Sequence, residues 1–222
     1  MTRLAKTLIT ATATLTLLTA SAYADSSNSG GTSNILNGQV NLTDQTATLQ
    51  LNSKNIAGNI TGVTVAGGNA IDITTMNNTN VLNNQYVSTG NIDADTYANL
   101  KNIGGTTDLA SQSVCNSASI SMDPTSTNVD STQECKATGP SATMHANIMN
   151  TDNDVSLAST AVSNSLEEDT NAPYGNVTNW QINKSAVNAS TTANVVNVNG
   201  NLSATASAIG NTGQIIHYST GN

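Results

Sequence analysis

Small or branched residues alternate with polar ones through the last part of the chain. Ala189, Thr191, Ala193 and Val195 alternate with Ser190, Thr192 and Asn194, and Leu202, Ala204, Ala206 and Ala208 alternate with Ser203, Thr205 and Ser207. A period of two in such residues predicts strands with one packed face. Propensity alone would allow a helix around Ala204–Ala208, but the neighbouring Thr, Ser, Asn and Val oppose it.

The pattern belongs to a phrase that occurs four times. Its clearest copy is Ala193-Asn194-Val195-Val196-Asn197-Val198, closed by Ile209-Gly210-Asn211. Earlier copies begin at Leu51-Asn52, Ala98-Asn99 and Ala146-Asn147, and they close at Asn69, Asn116 and Asn164. The closing positions step by 47, 48 and 47 residues, which is too regular for chance even with 33 Asn in 222 residues. A fixed period of this size predicts a repeat architecture. Counting back 22 residues from each closing Asn meets Ala47, Ala94, Ala142 and Ala189. Counting back 29 meets Val40, Val87, Cys135 and Ile182. The repeats run over about 38–69, 70–116, 117–164 and 165–211, with a tail at 212–222. Pro124, Pro173, Asp123, Asp130, Glu134 and Glu167-Glu168-Asp169 cluster at the variable start of each repeat, where loops are expected.

Each repeat offers about three strands: one near Val87 or Ile182, one through Ala94–Leu100 and one through Thr107–Val114. The Asn-x-x-Asn pairs are Asn52/Asn55, Asn99/Asn102, Asn147/Asn150 and Asn194/Asn197. Positions three apart face opposite sides of a strand, so the chain turns or bulges between them, near Lys101, Met149 and Val196. Asn tolerates the left-handed backbone that such a corner needs. These eight asparagines and the closing Asn69, Asn116, Asn164 and Asn211 are candidate members of stacked side-chain ladders. The alternative is that each is a solvated turn residue. The expected fold is all-β, a β-solenoid or a stack of β-arches. Each repeat makes one large coil or two smaller ones, and two coils per repeat would give a rod ~40 Å long. Its ends would be open β-edges that pair with another chain unless capped.

The first 24 residues stand apart. Arg3 and Lys6 precede the apolar, Thr-rich stretch from Leu8 to Ala20, and Ala22-Tyr23-Ala24 is a small-x-small cleavage site. This is the form of a secretory signal peptide with cleavage after Ala24. Residues 25–37, rich in Ser, Asn and Gly, read as a flexible leader, and 38–222 as one repetitive β domain. No later stretch is long and apolar enough for a transmembrane helix.

Without the signal, four Lys face 14 carboxylates, a formal charge of −10. That excludes a phosphate-binding basic patch, so nucleic acid is not an expected partner. Charged residues make up only 9% of the chain, far from the composition of a disordered segment. Cys115 and Cys135 are an even pair in an exported chain and are expected to form a disulfide.

Candidate chemistry is sparse. His145 takes the place held by Gln50, Tyr97 and Thr192 in the other copies, an exposed strand position, and His217 lies in the tail. No zinc motif and no nucleophile elbow occurs, so neither metal nor cofactor nor catalytic residue is expected. Asp93/Asp95 and Asn150/Asp152/Asp154 resemble pieces of calcium loops. The second lacks the central Gly and has Ala161 where a bidentate Glu belongs. Glu167-Glu168-Asp169 near Tyr174 and Trp180 would suit a glycan-binding or glycan-cleaving groove, although a solvated charged loop is the plainer reading.

The signal, the Asn/Ala/Thr/Ser-rich repeats and the ending Ala204-Thr205-Ala206-Ser207-Ala208-Ile209-Gly210-Asn211 resemble the repetitive holdfast-anchor surface proteins of stalked alphaproteobacteria. The resemblance lies mainly in the second half of each repeat. It implies export to the outer surface and a part in fixing an adhesive polysaccharide to the cell envelope. Curli-type fibre subunits are similar in character, but their Ser-x5-Gln-x-Gly-x-x-Asn-x-Ala-x3-Gln motif is absent. The expected function is therefore adhesion or anchoring by an exported, non-enzymatic β-protein that self-associates through its edges and meets envelope protein or surface polysaccharide. The alternative is a monomeric glycan-binding or glycan-cleaving β-helix.

Overall fold

A computed structural model describes residues 33–76, 78–123, 126–136, 138–171 and 174–218. They form twelve strands: β1 (Ser33–Asn41), β2 (Gln45–Ile56), β3 (Ile60–Thr75), β4 (Thr79–Val87), β5 (Ile92–Ile103), β6 (Thr107–Met122), β7 (Ser126–Cys135), β8 (Pro140–Thr151), β9 (Val155–Thr170), β10 (Tyr174–Asn183), β11 (Asn188–Val198) and β12 (Leu202–His217). Three parallel sheets hold them, in the orders β1-β4-β7-β10, β2-β5-β8-β11 and β3-β6-β9-β12. Every third strand stacks on its predecessor, so the chain is a β-solenoid of four coils.

Each repeat makes one coil, not two. At ~4.8 Å per coil the stack is about 19 Å tall, half the rod expected from two coils per repeat. The reason lies in strand length. Each third strand is 16 residues long. It spans the backs of both shorter strands in its coil. One core cluster joins Leu100, Met144 and Ile148 to Leu109 and Leu157, and a second joins Val81 and Val129 to Ile71, Ile120 and Leu166. Burying such side chains contributes ~1.5–3 kcal/mol each.

The long strand changes phase midway. Cys115 and Asn116 are consecutive yet both buried, as are Ser163 and Asn164. Pairing skips the first residue of each of these steps, Gly68, Cys115, Ser163 and Gly210. Each closing Asn therefore sits just after a bulge, and inward positions resume from it as Ala118, Ile120 and Met122 or Leu166, Glu168 and Thr170.

The second corner follows from the Asn-x-x-Asn pairs. Asn55, Asn102, Asn150 and Asn197 have φ of 58°, 56°, 56° and 57° and turn each coil from its second strand into its third. The turn expected between the paired asparagines is present, and its left-handed residue is the second Asn.

Four expectations are corrected. Residues 33–37, expected in a leader, belong to β1, because they align residue for residue with β4. Asp130 and Glu134 lie in β7 and Glu167–Asp169 in β9, not in loops, since the third strand continues past its bulge. Val40 pairs with Tyr86 and Ile182 with Glu134, whereas Val87 and Cys135 pair with each other, so those four do not share one column. The second and fourth repeats, whose sequences align without a gap from Tyr86 and Gln181 onward, therefore slip by one on the first sheet. The middle coils carry an extra corner residue there, and Gly90 and Gly139 take φ of 93° and 91° in that corner. A side chain at Gly139 would strike the backbone of Ala186. Pro124, Pro173 and the signal-like segment lie outside the described residues.

Candidate functional site: the amide ladders and the open coil ends

The closing asparagines form one column in the core. Asn69 donates to Asn116 at 2.9 Å, Asn116 to Asn164 at 2.8 Å and Asn164 to Asn211 at 2.8 Å. The second N–H of each upper member reaches a backbone carbonyl on the first sheet: Asn116 to Glu134, Asn164 to Ile182 and Asn211 to Gln181. Asn116 and Asn164 are fully buried with their donors used. A buried amide without these partners would cost ~1–3 kcal/mol, so the column is a register device.

The corner asparagines form a second column, on the surface. Asn102 donates to Asn55 at 2.7 Å, Asn150 to Asn102 at 2.9 Å and Asn197 to Asn150 at 2.9 Å. Asn194, Asn147 and Asn99 are joined by two bonds of 3.2 Å. Asn52 is in register with them but outside this chain of bonds.

Two further columns escaped the sequence reading. Gln181 donates to Gln133, Gln133 to Gln85 and Gln85 to Gln39, at 2.8, 2.8 and 3.0 Å. On the outer face, Asn176 donates to Asn128, Asn128 to Asn80 and Asn80 to Asn34, at 3.3, 2.9 and 3.0 Å. The glutamines were visible as a recurrence 30 or 31 residues before each closing Asn. They were hidden by aligning on their apolar neighbours.

The disulfide joins Cys115 of β6 to Cys135 of β7, with Cα atoms 6.1 Å apart, among Val87, Ile92 and Ala94. It ties the third sheet of the second coil to the first sheet of the third coil.

Charge is concentrated in a few places. Lys184 and Lys136 approach Glu134 at 2.8 and 3.2 Å, and Lys136 also donates to the Tyr86 hydroxyl at 2.7 Å. The hydrogen bond from Lys184 holds the Glu134 carboxyl below its ordinary range, against some desolvation. Glu168 is different. It occupies the column Ile73–Ile120–Glu168–Ile215, is fully buried, and its two carboxylate oxygens find no hydrogen-bond partner. Burial pushes its pKa up, and nearby His217 offsets part of that.

The glycan-groove set is not assembled. Trp180 is exposed on the first sheet's outer surface, while Glu167 is on the outer surface of the third sheet and Glu168 points into the core. His145 is exposed and stacks on Tyr97 with ring centroids 5.4 Å apart. Asp152 and Asp154 accept from Asn199 and Asn201 of the next coil, serving the corner. Asp93 lies beside Asp95, and burial followed by that neighbour raises its pKa. Among the described residues no cluster of three metal-ligating side chains occurs, and no helix is long and apolar enough to cross a membrane.

The remaining surface of note is the two ends. β1, β2 and β3 carry unpaired edges at one end, and β10, β11 and β12 at the other, among the described residues. At the fourth-coil end, inward residues that are sealed in the middle coils are bare, whereas Ile60, Ile71 and Ile73 of the first coil stay buried. Ile120 is 1% exposed, whereas Ile215 in the same column is 51% exposed. A cavity at the first coil is lined by Gln39, Ala47, Val65, Ala66 and Asn69.

Comparison with curated proteins and with solved structures found no match. A family described as HfaD, holdfast attachment protein D, matches residues 3–219, nearly the whole chain. The chain therefore belongs to the holdfast attachment protein D family.

Proposed function

We propose that this chain is a structural link in holdfast attachment, exported to the cell surface, and that it works by stacking its coils on a neighbouring chain. The observation that carries the reading is the pair of coil ends, each with three strand edges unpaired among the described residues, together with the bare inward Ile215 of the fourth coil. Unprotected parallel edges with in-line amide columns are templates for further strands. Family membership supports adhesion or anchoring as the setting. The Asn, Thr and Ser of the outer faces offer hydrogen bonds to envelope protein or surface polysaccharide. The role is structural, not catalytic, because the recurring polar side chains hold coil to coil. Sedimentation velocity of the full chain over a range of concentrations tests the stacking. Species that grow with concentration are expected. A single monomeric boundary at every concentration would overturn it.

A further inference from the structure

We infer that copies of this chain join head to tail and in register, with the fourth coil of one molecule seated against the first coil of the next. This rests on the stacking reading above and adds its polarity and its residue-by-residue register.

The hydrogen-bonded columns have direction. The glutamine column runs from Gln181 as donor down to Gln39 as acceptor. Gln39 uses one N–H on the Ala70 carbonyl, which leaves its second for the open side of the first coil. Gln181 uses both N–H groups on Gln133 and Thr212, so its carbonyl oxygen serves the open side of the fourth coil. The outer Asn34 column and the corner Asn55 column run the same way. The core column runs the opposite way, from Asn69 as donor toward Asn211. Each column thus ends in a donor at one end of the molecule and an acceptor at the other. Apposing two first coils would set like against like in all four columns. Placing a first coil on a fourth continues all four: Asn34 on Asn176, Gln39 on Gln181, Asn55 on Asn197 and Asn69 on Asn211.

Corner shape points the same way. In the first coil, Thr43 N–H donates to Asn41 Oδ1 at 2.9 Å, and in the fourth, Ser185 N–H donates to Asn183 Oδ1 at 2.9 Å. The two middle coils turn this corner differently, with Gly90 and Gly139 at positive φ. The terminal coils therefore match each other at this corner better than either matches its own neighbour. In the same register exposed Trp180 meets Gly38, which has open space where a side chain would stand.

Cysteine cross-linking reads polarity directly. Adjacent parallel strands lie ~4.8 Å apart, within the ~4.4–6.8 Å Cα separation of a disulfide. Asn34 and Asn176 are exposed on the outer face, so N34C and N176C leave the core and the native disulfide untouched. Under mild oxidation each variant alone is expected to stay uncross-linked, and their mixture to give a one-to-one covalent dimer. Pairing N34C with T178C, out of register, is expected to give none. Cross-linking of N34C with itself, or of N176C with itself, would overturn the polarity and leave stacking intact. Oligomers in sedimentation without any N34C–N176C cross-link would place the interface elsewhere. A wild-type chain that never associates would remove the stacking reading as well.

Discussion

Asn116 donates from Nδ2 to Oδ1 of Asn164 at 2.8 Å, and both side chains are completely buried. The bond joins two coils at the residue that follows the bulge in each third strand. A one-residue slip would set an amide against Cys115 or Ser163 and strand buried donors. The column thereby specifies register in a core otherwise made of small, interchangeable residues.

Replacing Asn116 by Ala removes the partners of Asn69 and Asn164 together. The expected loss is about 2–4 kcal/mol, whereas Asn211→Ala, at the open end, costs about 1 kcal/mol or less. Urea denaturation of the two variants checks this. Equal losses would mean that the column does not set register.

The corner asparagines carry a backbone cost instead. Asn102 has φ of 56° and an exposed side chain. Asn102→Gly keeps the left-handed turn and costs little. Asn102→Ala strains it by about 1–2 kcal/mol. Thermal unfolding should rank wild type and Gly above Ala. An Ala variant as stable as the Gly variant would contradict the corner geometry.

Glu168 fills an isoleucine column without a hydrogen bond. Its carboxyl binds its proton more tightly folded than unfolded, because burial raises its pKa. The stability held by that proton is complete below the ordinary carboxylate range. It is lost as pH rises through the raised pKa. Glu168→Ile should stabilise the chain by about 1–3 kcal/mol at neutral pH and flatten this part of the pH profile. His217 and Asp169 face this carboxyl with opposite effects on its pKa, and both interactions disappear with it in E168I, so the difference between the two proteins includes them. A destabilised E168I variant would show that the carboxylate has a partner that the coil supplies.

Cys115 and Cys135 close a short loop, with a sequence separation of 20. Their bond is expected to contribute about 3 kcal/mol. Denaturation midpoints with and without reduction measure it. An unchanged midpoint would mean that the neighbouring columns already hold the second and third coils together.

Much of this was legible in the chain. The period, the closing asparagines, the turn at Asn-x-x-Asn and the cysteine pair all rest on residues that recur or on chemistry with one partner. The first sheet was harder. One extra residue in the corners of Gly90 and Gly139 slid Val87 and Cys135 off Val40 and Ile182, and the glutamine column went unread. Glu167–Asp169 looked like a loop because three consecutive charges usually are one. The bulge at Ser163 reverses the inward phase. Only the coil itself makes Glu168 the inward residue and Glu167 the outward one. Column direction, which sets the polarity of the ends, is a property of side-chain hydrogen bonds and has no signature in sequence.

Electron microscopy of the full chain at high concentration tests the stacking of open ends most directly. The expected result is filaments of constant width with a ~4.8 Å spacing along the axis and a subunit rise of about 19 Å, four coils per molecule. Discrete particles one molecule tall at every concentration would contradict it.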